Sequence, residues 1–264
     1  MRKFWQNITS NENIVRYALV ATLLVFMVMY DRAGRHKQRS LTGPMVIDVK
    51  HLDSGNDFIT NQEMREKITK KFSSDFTKVP IEKLDVPEIE SQLKSLDFIK
   101  STDVYVDANN RLNILVKQRE PLFRILSSTG QSMYVDKDGT TMPASNHYSP
   151  RVMVAYLDNI ITRDTLNIKR PGQEKDLYDL ATTISHDNVL EALVEEIIAG
   201  DHNEWVIIPK LGPSRIYIGT LQNLEEKLET LKKVYRKILP AEGWEKYYSI
   251  NLKFKGQVIC TKKT

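Results

Sequence analysis

The sequence predicts an α+β protein with three parts in chain order: an apolar N-terminal helix, a small strand–helix–helix–strand–strand module, and a larger mixed β-domain. Three observations carry this. Tyr17 to Tyr30 is a run without a charge. Between residues 45 and 118, two helix-start signals stand among alternating, strand-like segments. From Arg119 onward, short apolar segments recur between Gly, Asp, Asn and Pro turns, broken by stretches of helical periodicity.

Residues 1–13 read as a short cytoplasmic tail and residues 14–30 as a single transmembrane helix, about 26 Å long at ~1.5 Å per residue. That is short for a hydrocarbon core of ~30 Å, but Arg16 can snorkel to the headgroups, and Phe4, Trp5, Tyr17 and Tyr30 lie where aromatic anchors sit. A cleaved signal peptide is the alternative, yet Asp31-Arg32-Ala33-Gly34-Arg35 offers no small-x-small cleavage site. Charge bias does not orient the span outward. Arg2, Lys3 and Arg16 precede it, while Arg32, Arg35, Lys37 and Arg39 follow it. A single span, a short leading segment and a lone cysteine favour export of the C-terminal part instead. Residues 31–44 read as a juxtamembrane linker ending in Gly43-Pro44.

Ordered patterning starts at Met45. Val46–Leu52 is strand-like, and Thr60-Asn61-Gln62-Glu63 is a capping box that opens a helix through about Phe72. Asp85-Val86-Pro87-Glu88 opens a second, with Ile89, Leu93 and Leu96 on one face. Phe98–Asp107 and Leu112–Gln118 are strands joined by a turn at Ala108–Arg111. Such a three-stranded sheet buries one side under two helices. The order over 45–118 resembles a POTRA module, a periplasmic or intermembrane binding unit.

Residues 119–264 form the second domain. Pro121 cannot donate to a central ladder and so marks an edge or a boundary. Leu122–Leu126 and Ser132–Val135 pair across the Ser127–Gly130 turn, and the tight Asp136–Gly139 turn leads to Thr141–Pro143. After the loop 145–150, Arg151–Ala155 is a strand. Leu177, Leu180, Ala181 and Ile184 recur at helical spacing, and a short helix near 187–193 follows. Val194–Ala199, Trp205–Lys210 and Arg215–Gly219 are strands. Leu224, Leu228, Leu231, Tyr235 and Ile238 mark an amphipathic helix ended by Pro240 and Gly243; the stripe reads as a face packed on a sheet rather than a partner-binding surface. Ile250, Leu252 and Phe254 alternate with polar residues, Lys255-Gly256 makes a two-residue turn, and Gln257–Thr261 is the last strand.

Function classes fall away by composition. Charged residues at 27% and a net charge of +4, with the basic residues scattered, give no electrostatic footprint for nucleic acid. The single Cys260 excludes an internal disulfide framework and any multi-cysteine zinc site. His36, His51, His147, His186 and His202 are dispersed without a ligand spacing. Asp136-x-Asp138-Gly139 hints at a calcium loop, but Thr141 stands where that loop needs glycine and His147 where it needs a bidentate acid. Cys260 has no His or acid nearby in sequence and reads as a structural thiol. No phosphate loop is present, and Asn7-Ile8-Thr9 carries little weight ahead of the span. No catalytic residue, metal ligand, cofactor or small-molecule substrate is expected.

What remains is the last strand. Gln257, Val258, Ile259, Cys260 and Thr261 carry no charge, proline or evident bulge to guard a sheet edge; only Lys262 and Lys263 flank them. If the strand lies at an edge rather than inside a sheet, strand addition by a partner follows. A proline at Ile259 then blocks pairing, provided the Ile259 N–H faces the partner.

The anchor, the 45–118 module, Arg119-Glu120-Pro121 with Tyr134-Val135-Asp136, Gly139 and Met142-Pro143, and the end Ile250-Asn251-Leu252-Lys253 with Gln257-Val258 resemble the FtsQ/DivIB cell division proteins of Bacteroidetes-type bacteria. The resemblance spans residues 14–264. It implies a bitopic, non-enzymatic inner-membrane scaffold with its C-terminal part periplasmic, at the division site. It implies FtsB and FtsL as the types of partner at the last strands, which maps by position onto Tyr248 to Thr261, and other membrane division proteins near the POTRA-like domain. Competing readings are a POTRA-bearing component of outer-membrane protein or lipid transport, and a membrane-anchored sensor or enzyme. The first lacks repeated modules and barrel strands here, and the second lacks a polar constellation.

Overall fold

The computed structural model describes residues 16–31, 40–53, 55–127, 130–145, 148–157 and 166–263. The expected tail 1–13, Ile14 and Val15 of the expected span, linker residues 32–39, and parts of the 127–130 turn and the 145–150 loop lie outside the described residues. Helix α1 (residues 16–31) exposes every side chain. No helix among the described residues is long and apolar enough to cross a membrane. Beyond α1, the chain divides into two compact units: residues 1–50, 60–95 and 101–117, and residues 51–59, 96–100 and 118–264.

In the first unit, β1 (Val46–Lys50) runs parallel to β3 (Leu112–Gln118), which sets Ile47 opposite Ile114 and Val49 opposite Val116. With β2 (Ile99–Val106) the order is β1-β3-β2. Alternation buries Ile47, Val49, Leu112, Ile114 and Val116 on one face. Helices α2 (Asn61–Phe72) and α3 (Val86–Lys94) bring Met64, Ile68, Ile89 and Leu93, each at 3% exposure or less. Both start where their caps dictate. Thr60 accepts from the Glu63 N–H at 3.2 Å while Glu63 accepts from the Thr60 N–H at 2.8 Å, and Asp85 accepts from the Glu88 N–H at 3.0 Å. Thr60→Ala is expected to weaken the first turn of α2 by about 1 kcal/mol, read as faster hydrogen exchange of its leading amides.

The second unit is a nine-stranded mixed sheet of order β12-β11-β10-β9-β8-β7-β4-β5-β6. Its strands are β4 (Pro121–Leu126), β5 (Ser132–Asp136), β6 (Thr141–Pro143), β7 (Met153–Tyr156), β8 (Val194–Ala199), β9 (Trp205–Pro209), β10 (Arg215–Gly219), β11 (Tyr247–Asn251) and β12 (Ile259–Lys262). Register aligns Ile125, Ala155, Ile197, Ile207, Ile216 and Ile250 in one buried row. Over this face pack α4 (Gln173–Ser185) with Leu177, Leu180, Ala181 and Ile184, α5 (Asn188–Leu193) with Leu190, and α6 (Leu224–Lys233) with Leu228 and Leu231. Trp205, with no exposed surface, is the largest side chain in that core.

Two expectations are corrected, and a third is settled between its alternatives. Pro121 opens β4 at a register shift, and β4 lies inside the sheet between β7 and β5, so Pro121 marks not an edge but a boundary, three residues after the second unit resumes at Gln118. A first-residue proline escapes the ladder without making its strand an edge. Pro240 does not end its helix either. A widened π-turn over Val234–Ile238 leads into α7 (Leu239–Glu242), and the helix stops at Gly243, φ 102°. The wider turn absorbs the carbonyl clash and the missing N–H that proline imposes. Finally, Lys255-Gly256 does form a turn, closed by the Gln257 N–H on Phe254 O at 3.2 Å, but β11 and β12 do not run up to it. Leu252 stays beside β10, donating its N–H to Tyr217 O at 2.9 Å, and Asn251 Oδ1 then accepts from the Lys253 N–H at 3.0 Å to bend the chain. Phe254 is left exposed, and the last strand starts at Ile259.

The start of α5 links to α6 by charge. Asp187 Oδ1 accepts from the N–H groups of Val189 (2.9 Å) and Leu190 (3.1 Å), while Lys232 Nζ donates to Asp187 Oδ2 at 2.6 Å and pairs with Glu229 at 2.5 Å. The Lys232 hydrogen bond, then that of Leu190, holds the Asp187 carboxyl below its usual pKa, and the hydrogen bonds to Asp187, then Glu229, raise that of Lys232. A depressed carboxyl contributes stability above its unfolded pKa and loses it as pH falls through the folded value; the raised amine loses its share only at high alkaline pH. Asp187→Asn is expected to flatten the acid limb of the stability profile below about pH 4, read by chemical unfolding across pH.

Candidate functional site

The end of the chain builds an open sheet edge. β12 pairs only with β11, antiparallel, with Ile259 opposite Asn251, Cys260 opposite Ile250 and Thr261 opposite Ser249. Main-chain groups alternate sides along a strand, so the bonds of one residue fix those of its neighbours. Tyr248 O accepts from the Ser214 N–H at 2.9 Å and the Leu252 N–H reaches Tyr217 O, so the even-numbered residues here face β10. Ser249 and Asn251 therefore face β12. The Lys263 N–H donates to Lys246 O at 3.0 Å, which continues the odd-numbered alternation on β12, while on β11 the register shift between Tyr247 and Ser249 reverses the parity so that Lys246 also faces β12. Ile259 and Thr261 thus turn their N–H and C=O groups onto β11, whereas Cys260 and Lys262 turn theirs outward.

This separates the expected site residues. Ile259, Cys260 and Thr261 lie in β12; Tyr248 lies in β11 with an exposed ring; Gln257 and Val258 lie in the connection before β12. The Ile259 N–H faces inward, so a proline there breaks the protein's own ladder rather than a partner's. Lys262, whose main chain faces out, was missed because the assumed two-residue connection started the strand two positions early. The parity of Leu252, a buried apolar residue still aligned with β10, is the signal that places it.

Side chains finish the edge. Cys260 is partly buried against the core, and that burial pushes its thiol pKa up, away from reactivity. Ile259 is 46% exposed on the opposite face. Beside the start of β12 opens a groove of about 240 Å³ lined by Thr220, Asn223, Lys227, Leu252, Phe254 and Gln257. Lys227 there donates to the carbonyls of Ile218 (2.9 Å) and Thr220 (2.7 Å), and burial lowers its pKa. Lys253 pairs with Glu204, and Lys263 with Glu245 at 2.5 Å.

The Asp136 turn is a structural hub. Asp136 is 1% exposed; its Oδ1 accepts from the N–H groups of Asp138 (2.9 Å) and Thr140 (2.8 Å), and its Oδ2 accepts from Arg119 Nη1 at 2.8 Å. Among the described residues, no group of three His, Cys, Asp or Glu could hold a metal ion. His51 meets Asp57 at 2.6 Å on the surface, and Asp57 in turn accepts from the buried Gln118, which takes the N–H groups of Phe58 and Ile59. That chain of bonds ties down a loop.

The chain is thus a two-unit α+β protein, a small three-stranded module and a larger mixed sheet that ends at β12. Residues 45–117 match the POTRA-like domain. Residues 120–261, more than half of the chain, match the family described as FtsQ/DivIB, C-terminal related, and the chain belongs to the FtsQ/DivIB family. That is a family of non-enzymatic scaffolds associated with the division site. No curated protein sequence matches the chain.

Proposed function

We propose that this protein is a bitopic scaffold of the bacterial division complex, with residues 14–30 in the inner membrane and the rest in the periplasm. It gathers its partners by adding their strand to β12, while the POTRA-like domain contacts other membrane division proteins. The partners at β12 are small division proteins of the FtsB and FtsL type. The observation that supports this most is the outward-facing main chain of Cys260 and Lys262 at the end of a nine-stranded sheet. Helix α1 fits the anchor chemically, because the one hydroxyl inside the apolar run between Tyr17 and Tyr30, that of Thr22, donates back to Ala18 O (2.7 Å) and Leu19 O (2.9 Å).

The test is affinity capture of the tagged full-length chain from cross-linked native membranes, with unbiased identification of what comes with it. Small bitopic division proteins are the expected catch. Outer-membrane assembly factors in their place would overturn the reading in favour of transport.

A further inference from the structure

The helices of the second unit cover one face of its sheet. On the other face, the strands from β10 to β4 contribute no side chain to that helix-covered core, a width of about 19 Å at ~4.8 Å per strand step. Register sets two rows across it. One runs Tyr217, Val206, Ile198, Tyr156, Leu126; the other runs Ile208, Glu196, Val154, Arg124, and Arg215, the first residue of β10, extends it beside Ile208 when the Ile216–Ile207 ladder is continued by one step. All ten are half-buried or exposed, and none belongs to the core cluster. A solvated sheet face normally carries polar residues in these positions. Here seven of the ten are apolar or aromatic.

The charges on this face are placed with a symmetry. Arg124 is held by Ser132 Oγ at 2.6 Å and lies over the Tyr134 ring. Glu196 stands opposite Ile208 on one side, and the register of β10 brings Arg215 opposite Ile208 on the other. Two strand steps separate them, and neither has an ion-pair partner among the described residues. A two-fold axis laid along β9 between two stacked copies carries β10 of one onto β8 of the other. Arg215 of each copy then meets Glu196 of its mate, Tyr217 meets Ile198, and Val206 and Ile208 meet their own equivalents.

We propose that this face is a self-association surface, on which a second copy of the chain packs sheet to sheet about β9. The self-complementary Arg215–Glu196 exchange selects a second copy over an unrelated apolar partner. The flat patch covers on the order of 400 Å² per copy, short of the ~800 Å² per partner of a standard interface, so association is weak and reversible. The surface is distinct from the β12 edge, and the proposal does not depend on strand addition.

The test uses the full-length chain in mild detergent, carrying Cys260→Ser so that one introduced thiol is the only one present. Sheets stack about 10 Å apart, so Val206→Cys on the axis should be joined to a second copy by a short bismaleimide at least tenfold more efficiently than Glu225→Cys on α6. In sedimentation of the otherwise unaltered chain, Glu196→Arg and Arg215→Glu should each weaken dimer formation at least tenfold. The two together should restore it to within threefold, with tryptophan fluorescence reporting the fold throughout. Equal cross-linking at both positions, single reversals without effect, or a double reversal as weak as the singles would each overturn the proposal.

Discussion

Cys260→Pro is expected to lower affinity for the strand-adding partner by at least ~100-fold while leaving the fold in place. The outward N–H of Cys260 is a donor the partner's main chain would use, and the pyrrolidine ring occupies the space where the partner carbonyl would approach. Losing that bond and displacing its neighbours together costs about 3 kcal/mol, and each 1.4 kcal/mol is ~tenfold. Proline is tolerated on an edge strand whose N–H serves no intrachain bond. Ile259→Pro behaves differently, because it removes the bond to Asn251 and loosens β12 itself. Cys260→Ser, which keeps the main chain, should bind as wild type. The measurement is titration of the detergent-solubilised chain with an FtsB-type partner, with circular dichroism for the fold. Cys260→Pro binding like wild type, with an unchanged spectrum, would remove strand addition from the account.

Asp136→Ala is expected to destabilise the second unit by about 3–5 kcal/mol, as for the loss of one partner of a buried ion pair. Three donors converge on that carboxylate, and its side chain is 2% exposed against 18% for Arg119. Alanine leaves the guanidinium without its acid and the amides of Asp138 and Thr140 without an acceptor. Asp136→Asn keeps the Oδ1 bonds and should lose less. Arg119→Leu with Asp136→Leu should lose less than the sum of the two single changes, since apolar pairs can replace buried ones at small cost. Urea unfolding followed by the fluorescence of Trp205 and Trp244, both in this unit, reads the difference. Equal stability of Asp136→Ala and wild type would mean that the turn forms without its hub.

Local chemistry made much of this architecture legible. Thr60 with Glu63 and Asp85 with Glu88 fix where α2 and α3 start, because caps act within one turn of chain. Alternation in Val46–Lys50 and Leu112–Gln118 gave the strands and their buried face. What sequence spacing does not contain is which distant strands become neighbours. Nothing local to Pro121 says that β7 will lie beside β4, so the proline could be read as an edge as readily as the boundary it is. Nothing local to Leu252 says that β10 runs alongside, so the alternation through Phe254 read as one strand and the connection came out too short. The two-residue error mattered most at the site, since the outward residues of an edge depend on parity alone. The second face of the sheet was equally hidden. Val206, Ile208 and Ile198 look like ordinary strand residues until the register sets them on the face opposite the helix-covered core row.

The parallel pairing of β7 with β4 and β8, and of β10 with β11, also shapes how the protein acquires its structure. Each of these pairs is closed by a long excursion: through α4 and α5 for β8, and through α6 and α7 for β11. Chain entropy must be surrendered before such pairings give anything back, so the sheet should assemble slowly and largely as one cooperative event. β12 can pair with β11 across a short connection, but that pair joins the sheet only once β11 has found β10. The β12 edge, the proposed recruiting surface, therefore takes its place on the finished sheet late in folding, and a chain caught partway presents bare strands in its stead.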